Sequence, residues 1–152
     1  MVQESEGIVS NSNDTLITKE DLVLIAAFES SFSTSYTNIV QSVYLISRII
    51  ERSTGTKLFT FEHNSWGPQC EEIFYVIKDI EKKEIILTTE DSNGFYKTFH
   101  ITKSGYNLRL KRLKLLSRKD LQLLKKLLST INDFTYLEKI EYIKREFSEI
   151  VK

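Results

Sequence analysis

Two histidines, His63 and His100, and a single cysteine, Cys70, are the residues of this 152-residue chain whose types suit proton transfer, nucleophilic attack or metal ligation. Their spacing argues against each use. Both histidines fall in strand-like segments with no acid placed to orient a ring, so a satisfied strand residue explains either as well as a base does. As zinc ligands, His63, Cys70 and His100 lack a fourth partner and show neither C-x-x-C nor H-x₃₋₅-H spacing. Cys70 sits near an expected helix start, where the dipole favours a thiolate, but Glu71 and Glu72 beside it push the other way. A small buried packing residue is the simpler reading. The five glycines, at 7, 55, 67, 94 and 105, are scattered and form no phosphate loop. The expectation is a protein that is not an enzyme, with no catalytic residues, no metal and no cofactor.

The other chemistry-bearing residues are charged. Net charge is zero, yet residues 1–102 carry 8 Lys/Arg and 15 Asp/Glu, whereas residues 103–152 carry 13 and 6. A balance of −7 followed by one of +7 points to a nucleic-acid surface, to acidic and basic surfaces that meet in an oligomer, or to a plain solvated face. The candidate nucleic-acid contacts are Lys97, Arg109, Lys111, Arg112, Arg118, Lys119, Gln122, Lys125 and Lys126. Among these, Arg118, Lys119, Gln122, Lys125 and Lys126 share one helical face and could track a phosphate backbone. Arg109, Lys111, Arg112 and Lys114 are split by leucine stripes and read as solubilising edges or as partners for the acidic N-terminal part in a dimer.

Several elements must position these residues. Residues 1–15 read as a polar flexible tail. Thr18 and Asp21 form an N-cap arrangement, and Leu22 to Phe28 read as a buried first helix. Ser30 to Ser35 reads as a turn. A second helix from about 36 to 52 has no charge between Glu29 and Arg48, so it should be covered on more than one side, and Gly55 closes it. Leu58 to His63 alternates as a strand. The turn Trp66-Gly67-Pro68 leads into a third helix over 69–83, with Pro68 at its first position and Ile73, Phe74, Ile77 and Ile80 at core spacing. Asn93-Gly94 marks a hairpin between 85–89 and 95–101. Beyond Gly105 the chain reads as helical. Tyr106, Leu110, Leu113 and Leu116 make one stripe and Leu108 and Leu115 a second. Leu121, Leu124, Leu127, Leu128 and Ile131 line the next helix, and Leu137, Ile140, Ile143, Phe147 and Ile150 the last.

Length fits one compact domain with a core large enough to need no disulfide, and a lone cysteine excludes an internal one. Gln3-Glu4-Ser5-Glu6 lacks the basic start of a secretion signal, and no apolar run is long enough for a membrane span. A cytoplasmic location is expected, with no membrane partner.

The order helix, helix, strand, helix, hairpin predicts an α+β winged helix-turn-helix over 16–105, with a small antiparallel hairpin as the wing. Residues 106–152 are expected to be a C-terminal helical extension that packs on the domain or forms a dimer interface. The residues Trp66-Gly67-Pro68, Ile73, Ile80, Glu84-Ile85-Ile86 and Ile101-Thr102-Lys103-Ser104-Gly105 resemble winged-helix proteins of the YwgA-like and SocA (Panacea-domain) type. The likeness covers most of 16–152, with Cys70 where Ser is usual and Lys83 where Gly often stands. That resemblance implies the fold and, from its SocA-like members, antitoxins or adaptors acting through protein contacts. Two functions follow as expectations. One is a transcription-regulator-like protein, a homodimer through its C-terminal helices, binding double-stranded DNA through the wing and the basic C-terminal helices. The other is a protein–protein interaction module, antitoxin or adaptor that does not bind DNA. The DNA-binding regulator is the leading expectation, favoured by the fold, and the third helix nearly offsets that: a standard winged helix places this helix start at the base edges, and here it reads Gln69, Cys70, Glu71, Glu72. Carboxylates there oppose phosphate contacts.

Overall fold

The computed structural model describes residues 17–29, 31–65, 67–94, 96–131 and 134–146. The expected tail at 1–15, Trp66 of the expected turn, Phe147 and Ile150 lie outside the described residues, as do the side chains of Leu128 and Ile131. In chain order the elements are α1 (Lys19–Ala27), β1 (Ser33–Ser35), α2 (Tyr36–Thr54), β2 (Glu62–Asn64), β3 (Gly67–Gln69), α3 (Glu71–Lys82), β4 (Ile86–Glu90), β5 (Lys97–Ile101), α4 (Lys103–Leu113), α5 (Arg118–Ile131) and α6 (Tyr136–Glu146). The architecture is α+β, helices with small antiparallel sheets.

The reciprocal cap of α1 forms as its sequence predicts. The Asp21 N–H donates to Thr18 Oγ1 and the Thr18 N–H to Asp21 Oδ2, both at 3.1 Å. Every residue from Asp21 to Ala27 is buried, because α2, α3 and α4 all pack on this helix. Burial on several sides is what an all-round apolar sequence requires. α2 ends at Gly55, whose φ of +78° lets its N–H reach the Glu51 carbonyl. The uncharged flank of α2 is covered from within the chain, by α1, α5 and α6.

The larger sheet has the order β1-β5-β4. Its first strand was not expected: Ser33–Ser35 pairs antiparallel with β5, Thr34 facing Phe99. A three-residue strand rich in serine carries too little alternation to stand out from a turn, and only its partner 65 residues away defines it. The hairpin forms, but not with the two-residue turn that Asn-Gly favours. Gly94 has φ +73° and donates to the Asp91 carbonyl at 3.0 Å, while Asn93 does not adopt positive φ. A type I′ turn needs positive φ at both central positions, so the longer connection 91–96 takes its place.

Three other expectations are corrected. Leu58–Phe61 lies outside any strand, and only Glu62–Asn64 pairs, with Gly67–Gln69, as a two-stranded ribbon. The alternation at 58–61 reflects burial alone, with Phe59 in the core and Thr60 exposed. Pro68 is inside that ribbon and not at the first turn of α3, which begins at Glu71 with Cys70 as its N-cap. A ribbon of two strands has free edges, where a missing N–H is tolerated. Gly105 lies within α4, because the Thr102 hydroxyl caps the helix by accepting from the Gly105 N–H at 3.0 Å. An added Cβ at Gly105 would stand 2.1 Å from the Ile85 carbonyl oxygen, so the hairpin base and α4 touch backbone to backbone.

Candidate functional site

The basic residues singled out by sequence divide into two groups. Arg118, Lys119, Gln122, Lys125 and Lys126 are all exposed along α5, whose opposite side carries buried Leu124 and half-buried Leu121 and Leu127 against α2. Lys111 and Lys114 are exposed on and after α4. Lys97 is exposed on β5, 3.8 Å from Glu90 on the facing strand.

Arg109 faces inward and is a correction to the proposed contact set, whereas Arg112 is tied to α1 but keeps an exposed side chain. Arg109 is only 6% exposed. Its Nε donates to the Leu24 carbonyl at 3.3 Å, and its Nη2 to the Ile25 carbonyl at 2.8 Å and to Glu29 Oε1 at 2.5 Å. The reason lies in α1. A helix leaves its last four carbonyls without intrahelical donors, α1 has no basic residue in its last turn, and the guanidinium of α4 supplies both donors and positive charge. Arg112 forms an ion pair at 3.0 Å with the buried Asp21 carboxylate. The buried Arg109 guanidinium is not available to a phosphate backbone. Leucine spacing misled here: Tyr106, Leu110 and Leu115 are exposed, and Leu108 and Leu113 are half-buried, because α4 turns its Arg109 side toward α1.

Acidic residues of the first part are likewise partnered within the chain. Lys83 Nζ bridges both oxygens of Glu20, at 2.8 and 2.9 Å, and Lys19 pairs with Glu72. Glu71 has no ion-pair partner among the described residues.

A groove that the chemistry-bearing residues did not disclose runs between α3 and the hairpin sheet. It encloses about 680 Å³, lined by Tyr36, Phe74, Tyr75, Tyr96 and Phe99 among others. Phe74, expected in the core, is 41% exposed, Tyr75 56% and Tyr96 75%. Ile73, Val76, Ile77 and Ile80 complete the inward stripe of α3, so the next residue round the helix, Phe74, is turned out of the core. There it packs edge-on against Tyr36 and Tyr75 and beneath the Lys78 ammonium. An available signal was overlooked: an aromatic pair beside an already complete apolar stripe is surplus to the core.

A smaller cleft of about 280 Å³ shares Tyr36 and Glu71 with the groove and is lined further by Thr60, Glu62, Gln69 and Cys70. Cys70 is buried, and burial pushes its thiol above its ordinary pKa, partly offset by the N–H groups of Ile73 and Glu72. Burial also raises Tyr36, with Cys70 and Glu71 adding to it. The three conceivable zinc ligands are not gathered in one place. His63 stacks edge-on against Tyr44, while His100 has Ser33 Oγ at 2.8 Å and Thr89 Oγ1 at 2.9 Å on its two nitrogens. No group of three His, Cys, Asp or Glu suited to a metal occurs among the described residues. No helix among them is long and apolar enough to cross a membrane.

Comparison with known proteins finds no family model, no curated protein and no solved structure that matches this chain.

Proposed function

We propose that this chain is a non-enzymatic regulatory module on a winged-helix scaffold, and that the face formed by α3 and the hairpin binds another protein. The scaffold reading is supported by the order α1, β1, α2, α3, β4, β5 with sheet order β1-β5-β4. The ribbon β2–β3 is then an insertion between the second and third helices. On such a scaffold the start of the third helix is what meets DNA bases.

The observation that carries the reading is the character of that face. Exposed Phe74, Tyr75 and Tyr96 form an aromatic groove, and Glu71 stands at the start of α3. Aromatic side chains concentrated in a concave patch are what protein interfaces use as anchors. A carboxylate at the same place opposes the phosphate contacts on which DNA affinity depends. The test is affinity capture from source-cell extract by the full chain and two variants. A polypeptide retained by wild type and by Lys125→Glu/Lys126→Glu, and lost with Phe74→Ser/Tyr75→Ser, is the expected result. Retention indifferent to Phe74 and Tyr75 would overturn the assignment of this face.

A second reading, DNA binding, keeps one specific support: the exposed row Arg118, Lys119, Gln122, Lys125 and Lys126 on α5. That surface would give affinity through phosphates without reading sequence.

A further inference from the structure

We infer that the α3–hairpin groove takes a polypeptide segment with an aromatic or aliphatic anchor and, a few residues away, a lysine or arginine. This deepens the protein-binding reading and rests on it. The two clefts share Tyr36 and Glu71 as walls, so they lie side by side as two ends of different chemistry on one face. The larger end is aromatic, with Phe74, Tyr75, Tyr96 and Phe99 around it. Apart from the shared Glu71, its charges are paired: Lys78 lies 4.0 Å from Glu81, and Lys97 lies 3.8 Å from Glu90. An apolar side chain is what that end accommodates.

The smaller end is acidic without compensation. Glu62 and Glu71 line it, no basic residue does, and neither carboxylate has an ion-pair partner among the described residues. Glu72, by contrast, is occupied by Lys19. Part of the Glu71 charge answers the positive end of α3, which has no side-chain cap. Glu62 is on β2, in register with Gln69 just before that helix start, so it brings a second carboxylate to the same cleft. Gln69 and Thr60 add neutral hydrogen-bonding groups to the same walls. Two carboxylates beside amide and hydroxyl oxygens match the donors of an ammonium or guanidinium group. Burial is the main cause of the raised titration of Tyr36 between the two clefts, with Cys70 and Glu71 adding to it. A duplex would place phosphates against both carboxylates, so charge complementarity selects a basic polypeptide.

The test is selection of phage-displayed random dodecapeptides on the full chain, followed by anisotropy with synthetic peptides of the enriched sequence. Expected is enrichment of an aromatic or aliphatic residue with Lys or Arg nearby. Affinity should fall with Phe74→Ser/Tyr75→Ser, and by about tenfold with Glu62→Gln/Glu71→Gln, as two partly exposed charge pairs allow. Circular dichroism checks that both variants fold. Enriched peptides that lack a basic residue, or that ignore Glu62→Gln/Glu71→Gln while still needing Phe74 and Tyr75, would overturn the basic-segment inference and leave the docking face standing. No enrichment, or enrichment indifferent to Phe74 and Tyr75, would overturn both. Displacement of the selected peptides by a peptide of residues 118–131 would replace the foreign partner with a second copy of this chain. Displacement by random-sequence duplex would replace it with DNA.

Discussion

Arg109 caps a helix to which it does not belong. Its two carbonyl acceptors and Glu29 are far away in sequence and close in space, and removing the guanidinium leaves a partly buried carboxylate and two open carbonyls. Arg109→Met is expected to destabilise the protein by about 3 kcal/mol, the scale of breaking a buried ion pair from one side, measured by urea unfolding. Arg109→Lys should also cost stability, because an ammonium cannot reproduce the fork that spans Leu24, Ile25 and Glu29. Little of this was legible. In sequence Arg109 is one of a run of basic residues, and the feature that claims it, an uncapped helix end 80 residues earlier, requires the α1–α4 packing to be known. Glu71 and Glu72 show the same limit: adjacent and alike in sequence, one is tied to Lys19 and the other faces the groove. Cys70 was read correctly as a buried packing residue. With its thiol raised by burial, it should react with a disulfide reagent at pH 8 at least tenfold more slowly than in urea, roughly as burial and a smaller thiolate fraction require. A raised pKa in the folded state means that the folded state holds the proton more tightly. The contributions of Cys70 and Tyr36 are therefore full below their unfolded pKa values and lost as pH rises through the folded ones. Tyr36→Phe should flatten part of the loss of stability on the alkaline side.

Among the elements, those with a strong local period were the legible ones. α1, α2, α3 and the β4–β5 hairpin each have capping, stripe or turn residues in their own segment and each forms, although α3 starts later than Pro68 suggests and the hairpin turn is longer than Asn-Gly favours. β1 and the ribbon β2–β3 do not, because three-residue strands exist only through their partners. The aromatic groove was missed for a related reason. Phe74 was assigned to the core by hydrophobicity, although α3 already had four inward residues and needed no fifth. The junction of the hairpin with α4 is held by Gly105, where a Cβ meets the Ile85 carbonyl. Gly105→Ala is expected to cost about 2 kcal/mol, at the upper end of overpacking costs for a single methyl, seen as a lower urea midpoint. An unchanged midpoint would mean that α4 shifts away freely from the hairpin base.

At the scale of the whole molecule, two ion pairs join the oppositely charged parts of the chain. Arg109 and Arg112 answer Glu29 and Asp21 across α4 and α1. What remains outward is segregated: a basic row on α5, and an aromatic groove with an acidic end beside α3 and the hairpin. Any affinity for random-sequence duplex DNA at low salt should therefore be abolished by Lys125→Glu/Lys126→Glu and unaffected by Arg109→Lys, provided that variant is folded. Anisotropy at two salt concentrations reads both effects, since phosphate contacts weaken steeply with salt. The central claim is that the α3–hairpin face meets a polypeptide, and it is tested most directly by a photo-crosslinking amino acid placed at Tyr75 in the source cells. The expected result is a covalent adduct with another polypeptide, lost when Phe74 is also changed to Ser. An adduct with DNA, or none from this position under conditions in which a crosslinker at Lys126 gives one, would contradict it.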